Sequence, residues 1–166
     1  DGSVFIVLRP ARYVDESESV EFGEIHLFLA PHYAIAVRHG EASALQPARR
    51  LLERSNLLRH GVGAVAWAVL DKVVDDYAPV VDGIDNDIQE VEEDIFARRD
   101  DSTQRIYFLK REVIQFHRAV APLLPALEAL ERGAYPGMDR ELRGYFRDVA
   151  DHVRRVEEQI TSHREL

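Results

Sequence analysis

The chain has 166 residues, 46% hydrophobic and 31% charged, with no cysteine and a formal net charge of −9. There is apolar content enough for a packed core. The missing cysteines exclude disulfides, thiolate metal sites and thiol nucleophiles, and the acidity argues against a nucleic-acid partner, whose phosphates it would repel.

No apolar run approaches the roughly 20 residues of a membrane-spanning helix. The chain opens Asp-Gly-Ser and enters a strand at once, so no signal peptide is expected. The last helical pattern reaches Leu166 without a Gly, Asn or Pro stop. Both ends read as cut from something longer.

Val4 to Leu8 is a continuous β-branched and apolar run, expected as a buried strand. Val14 to Gly23, rich in Glu and Ser, reads as a loop. Glu24 to Ala30 alternates, with Ile25, Leu27 and Leu29 on one face; after Pro31-His32, Tyr33 to Val37 alternates again. Two such runs across a short turn predict an antiparallel hairpin. The resulting three-stranded sheet has open edges that want further partners.

From Ser43 the pattern turns helical, with Ser43 as a cap and an end near Asn56. The next helix opens near Gly61. Its apolar series Trp67, Leu70, Val74, Tyr77, Val81, Ile84, Ile88, Val91, Ile95 steps by three and four. Running to Ala97, it would be about 55 Å long at 1.5 Å per residue. A second series runs Ile106, Leu109, Val113, Phe116, Val120, Leu123, Leu127, Leu130, and a third Leu142, Phe146, Val149, Val153, Val156, Ile160. Such stripes pack helices side by side, and the short loop near 98–103 makes the first two antiparallel. Pro79, Pro122 and Pro125 should kink them. Pro79 could instead start a new helix, but the stripe crosses it in phase. The fold class is α+β: a small, partial antiparallel sheet, a long antiparallel helix pair and a long final helix.

The charge is placed, not diluted. Between Asp71 and Asp94 ten carboxylates meet one base, Lys72, while the rest of the chain balances 20 acids with 20 bases. Acid this dense draws hard cations or basic partners; a solvated helix face is the plainer explanation. Asp71 and Asp75 sit at i, i+4, as do Asp148 and His152, with Asp151 beside them. Carboxylates suit Mg²⁺ or Ca²⁺, and a carboxylate with histidine suits Zn²⁺ or Co²⁺. Taken alone, each pair also fits a solvated surface. Gly61-Val-Gly63-Ala-Val-Ala66 matches a loose dinucleotide pattern, but a helix rather than a strand precedes it. His26, His32 and His39 have no feature that brings them to one metal. No nucleophile elbow, P-loop or H-E-x-x-H is present. An enzyme is not expected.

Leu70-Asp71-Lys-Val-Val-Asp75-Asp76-Tyr77-Ala-Pro79-Val80 with the acidic Ile84-Asp85-Asn-Asp87-Ile88, then Leu109-Lys110-Arg111-Glu112-Val113 with Val120-Ala-Pro122-Leu123, then Tyr145-Phe146-Arg147-Asp148-Val149-Ala150-Asp151-His152-Val153 occur in this order. Together they resemble the CorA family of divalent-cation channels, over essentially the whole chain. The resemblance implies a homopentamer at the inner or plasma membrane, with this part on the cytoplasmic side. Residues 1–60 would be the C-terminal part of the sheet domain, 61–138 the helix pair, and 139–166 the start of a stalk helix capped by Asp139. Membrane contact would come only through segments beyond Leu166. The family's Gly-Met-Asn signature is not in this chain, nor is the upstream part of the sheet domain.

It further implies a cation-sensing role, with Mg²⁺ (or Co²⁺ or Zn²⁺) held between protomers at Asp71 and Asp148, and His152 as a further ligand, stabilising the closed channel. Two other readings remain open: the cytoplasmic domain of a ZntB-like zinc transporter, and a soluble acidic helical scaffold with no metal role.

Overall fold

The computed structural model describes residues 2–97, 102–133 and 139–164. Five strands come first: β1 (Val4–Leu8), β2 (Ala11–Val14), β3 (Ser19–Phe22), β4 (Glu24–Ala30) and β5 (Tyr33–His39). The helices follow: α1 (Gln46–Arg54), α2 (Val62–Asp75), α3 (Tyr77–Phe96), α4 (Ser102–Val120), α5 (Leu123–Glu131) and α6 (Arg140–Arg164), with a 3₁₀ turn at Asn56–His60. The α+β class is as expected.

β1, β4 and β5 form the antiparallel sheet in that order. Ile25, Leu27 and Leu29 are buried on its inner face, and α2 packs against β4 and β5. The outer face is open: Phe5, Val7, Phe28, Tyr33, Ile35 and Val37 are all exposed. Two sequence expectations are corrected here. β1 is not a doubly buried strand; of its side chains only Leu8 is fully enclosed. The supposed loop at 14–23 contains strand: β2 and β3 pair as a separate antiparallel hairpin, with Arg12 opposite Glu21 and bonded to it at 2.7 Å. Its strands are four residues each, too short for alternation to register.

Ser43 is no helix cap. It takes positive φ (55°), and its hydroxyl donates to Asp76. α1 starts three residues later, at Gln46 with Pro47 in its first turn, and ends at Arg54.

The 61–97 helix is two helices. α2 stops at Asp75, and α3 restarts at Tyr77. Pro79 lacks an N–H to donate to the Asp75 carbonyl, and its ring crowds that carbonyl, so the break lies four residues ahead of the proline. Asp76 keeps right-handed helical angles (φ −70°, ψ −11°). The stripe therefore crosses the break without losing phase, and Leu70, Val74, Tyr77, Val81 and Ile84 are all buried. Pro125 repeats the arrangement: α4 ends at Val120, and the break covers Ala121 and Pro122. Of the loop expected near 98–103, residues 98–101 lie outside the described residues and Ser102 already opens α4; residues 134–138 of the next connection also lie outside them.

α6 is the spine of the helical part. Asp139 caps it, accepting the Glu141 N–H at 3.0 Å. Its stripe Leu142, Phe146, Val149, Val153 and Ile160 is at most 1% exposed, packed on α2, α4 and α5. Phe146→Ala should cost about 3–5 kcal/mol by leaving a cavity, whereas Phe96→Ala, at a site 88% exposed, should stay within about 0.5 kcal/mol. Chemical denaturation of the two variants measures the difference.

Candidate metal site

Helices α2 and α6 run side by side in the same direction. Gly63 lets them approach, since a Cβ there would lie 2.8 Å from Leu142 Cδ1. One turn on, Trp67 and Tyr145 meet edge to face with ring centroids 5.0 Å apart. Two turns further, His152 Nδ1 lies 3.7 Å from Asp75 Oδ1. The residue offset stays between 77 and 79 along these contacts, which carries Asp71 to the level of Asp148. The two i, i+4 pairs read from sequence thus face each other across one helix–helix seam.

Asp71 is half-buried and Asp148 exposed. Burial, then the neighbouring Asp75, raise the Asp71 carboxyl above the ordinary carboxylate range; His152 pulls it back in part, and Asp148 adds a further push. No lysine or arginine among the described residues forms an ion pair with Asp71, Asp75 or Asp148. The nearby bases are engaged elsewhere: Lys72 with Asp76, and Arg154 with Asp151 and, at 3.1 Å, with Glu128. Asp151, expected beside Asp148 and His152, is thereby tied to Arg154. Asp75 joins the candidate set instead.

Two tighter groups of donors were not anticipated. His60, Asp139 and Glu141 bring ligand atoms within 4.8 Å of one another, as do Glu18, Asp87 and Glu90. Each holds an arginine already. Arg59 donates to Glu141 at 2.9 Å and to His60 Nε2 at 3.1 Å, which leaves Nδ1 to donate to Asp139 at 2.6 Å. Arg105 bonds Glu18 at 2.9 Å, Asp94 at 3.2 Å and also Glu90. These acids have their counter-charge inside the protein. Asp87 and Glu90 belong to the acidic run, but Glu18 gave no signal because its segment read as a loop.

The Asp71–Asp75–Asp148–His152 group is more open, and among the described residues no lysine or arginine forms an ion pair within it; Arg147, ion-paired to Glu131, acts on Asp148 from a distance. Mg²⁺ commonly keeps most of its water and touches one or two carboxylates. An open group of carboxylates offers the oxygen donors that a hydrated hard cation takes, and His152 offers a nitrogen of the kind Co²⁺ or Zn²⁺ takes. His26 and His39, with rings 5.6 Å apart on the outer sheet face, do not join a carboxylate group of this kind. The glycines of the dinucleotide-like pattern serve packing: Gly61 precedes α2 and Gly63 admits Leu142.

Residues 1–166 match the family described as CorA-like Mg2+ transporter protein, and the chain belongs to that family. Over 169 residues it is 26% identical to the cobalt/magnesium transport protein CorA of Thermotoga maritima, covering 100% of this chain and 48% of that protein. The fold is similar to the soluble domain of CorA from Methanocaldococcus jannaschii (TM-score 0.83, 15% identity, 99% of this chain and 66% of that one). It is also similar to the ZntB cytoplasmic domain from Vibrio parahaemolyticus (TM-score 0.76, 15% identity, 99% of this chain and 65% of that one). The chain spans about half the length of the curated relatives it matches. No helix among the described residues is long and apolar enough to cross a membrane.

A carboxyl whose folded-state pKa is raised weakens the fold while ionised, and that loss is recovered as pH falls through the raised pKa. Without divalent cations, Asp71→Asn should therefore raise Tm at pH 7. The gain over wild type should shrink on acidification and vanish below about pH 4, the ordinary carboxylate value. Thermal melts across this pH range provide the check.

Proposed function

We propose that this chain is the cytoplasmic, cation-sensing part of a CorA-type divalent-cation channel, and that Mg²⁺ held at Asp71 and Asp148, with His152 as an outer partner, favours the closed state. The supporting observation is the acidic seam between α2 and α6, where Asp71 and Asp148 have no lysine or arginine ion pair among the described residues, while Arg59 and Arg105 neutralise the two tighter clusters. In this reading residues 1–60 belong to the sheet domain, 61–138 to the helix pair and 139–166 to the start of the stalk. The assembly is a homopentamer at the inner or plasma membrane, with the exposed Asp148 directed to a neighbouring protomer.

Two carboxylates about 4 Å apart repel by roughly 4 kcal/mol at an effective dielectric near 20. A shared Mg²⁺ turns that repulsion into a bridge. A cation that prefers the closed arrangement shifts the population by its differential affinity, so internal depletion opens the channel. A zinc-transporting relative is the second reading, favoured by the imidazole of His152 beside the carboxylates and by the likeness to the ZntB domain.

Millimolar Mg²⁺ should raise Tm where Na⁺ of equal ionic strength does not. At a hundredfold excess over Kd the gain is about 2.7 kcal/mol, or several degrees. Asp71→Asn combined with Asp148→Asn should abolish it; an unchanged Mg²⁺ shift in the double variant contradicts the proposal. Under the zinc reading, Zn²⁺ would stabilise at far lower concentration than Mg²⁺, and His152→Ala would remove that preference.

A further inference from the structure

The β2–β3 hairpin lies across the helix pair: β2 packs on α3 and β3 on α4. Ala11 and Val20 reach the core and Tyr13 and Phe22 pack against it; polar contacts supply the rest of its hold. Tyr13 Oη donates to Asp87 Oδ1 at 2.7 Å, the Val20 N–H donates to Glu112 of α4, and Arg105 Nε donates to Glu18 at 2.9 Å. Of residues 11–22 only Ala11 and Val20 are buried. The Tyr13 ring lies flat enough on α3 that any Cβ at Gly83 would collide with it. At the tip, Glu18 sits in the left-handed region (φ 46°), a strained position for a non-glycine residue. Beneath the tip is a cavity of about 480 Å³, lined by Glu18, Asp87, Asp94, Arg105 and Glu112 among others.

What the hairpin covers is Asp87, a carboxylate only 6% exposed. We propose that the β2–β3 hairpin is an acid-responsive strap: it lifts from α3 and α4 while the rest of the fold stays intact, and it closes more tightly when Asp87 takes a proton. The groups facing Asp87 are Tyr13 and Glu18 from the hairpin, Glu90 from α3 and Arg105 from α4. Burial raises the Asp87 carboxyl most; the Tyr13 hydroxyl and Arg105 offset part of this, and Glu18 and Glu90 add to it. With the strap lifted, Asp87 would meet water and return to the ordinary carboxylate range, near 3.9. A higher pKa when closed than when open means protonation favours closure. Lifting thus becomes rarer as pH falls through the closed-state value. At neutral pH, lifting adds an ionised carboxylate to the acidic face of α3 beside Glu90.

Hydrogen exchange on the whole chain tests this, as protection factors corrected for the intrinsic effect of pH. At pH 7 the amides of residues 13–20 should be at least about tenfold less protected than those of β4, since sub-global opening precedes global unfolding. The gap should narrow on acidification towards pH 4.5. Asp87→Asn, which keeps the shape but carries no charge, should hold the hairpin closed at every pH. Gly83→Ala should release it while β4 keeps its protection, and Tyr13→Phe should release it in part. Hairpin amides that track β4 at pH 7, or an Asp87→Asn protein that keeps the wild-type pH dependence, would overturn the proposal.

Discussion

The parallel packing of α2 against α6 is the constraint on which the rest depends. Gly63 against Leu142, then Trp67 against Tyr145, hold the two helices in one register. The apolar stripe of α6 seals the seam, with Phe146, Val149 and Val153 fully buried. Hydrophobic burial of this kind is non-directional and strong. It therefore places Asp71 and Asp75 near Asp148 and His152, although their charges repel. The electrostatic cost shows in the upward push on Asp71.

Five of the ten carboxylates in the acidic run have identifiable partners. Asp76 meets Lys72 and Ser43, Asp85 meets His163, Asp87 meets Tyr13, and Glu90 and Asp94 meet Arg105. Half of the run thus serves to join elements: α6 to α3 through His163, and the β2–β3 hairpin to the helix pair through Tyr13 and Arg105. A solvated face would not have spent its charges this way. Asp82, Glu92 and Glu93 are exposed, and the seam carboxylates Asp71 and Asp75 have no lysine or arginine ion pair among the described residues, with the partly exposed imidazole of His152 beside Asp75.

Much of this was legible in sequence. The three stripes gave the helix faces because their period is long and sustained, and strand alternation gave β4 and β5. Faces carry through a break when the backbone stays helical, as at Asp76. Boundaries do not: the stops at Asp75 and Val120 follow from prolines acting four to five residues upstream. β1 misled because a continuous apolar run does not say that both faces are covered. β2 and β3 were missed because four-residue strands rest on Asp87, Arg105 and Glu112, distant in the chain. The i, i+4 pairs alone fitted a solvated surface, and Asp71, Asp148 and His152 were singled out through the motif resemblance; the pairing of Asp151 with Arg154 and the nearness of Asp75 to His152 depend on which way the helices turn.

Cobalt or manganese diffused into crystals of the protein gives the most direct test, through the anomalous scattering of the metal. The account predicts a peak over the α2–α6 seam, between Asp71, Asp75, Asp148 and His152, that disappears in the Asp71→Asn, Asp148→Asn double variant. Peaks confined to other carboxylates, with the seam empty at saturating metal, would contradict it.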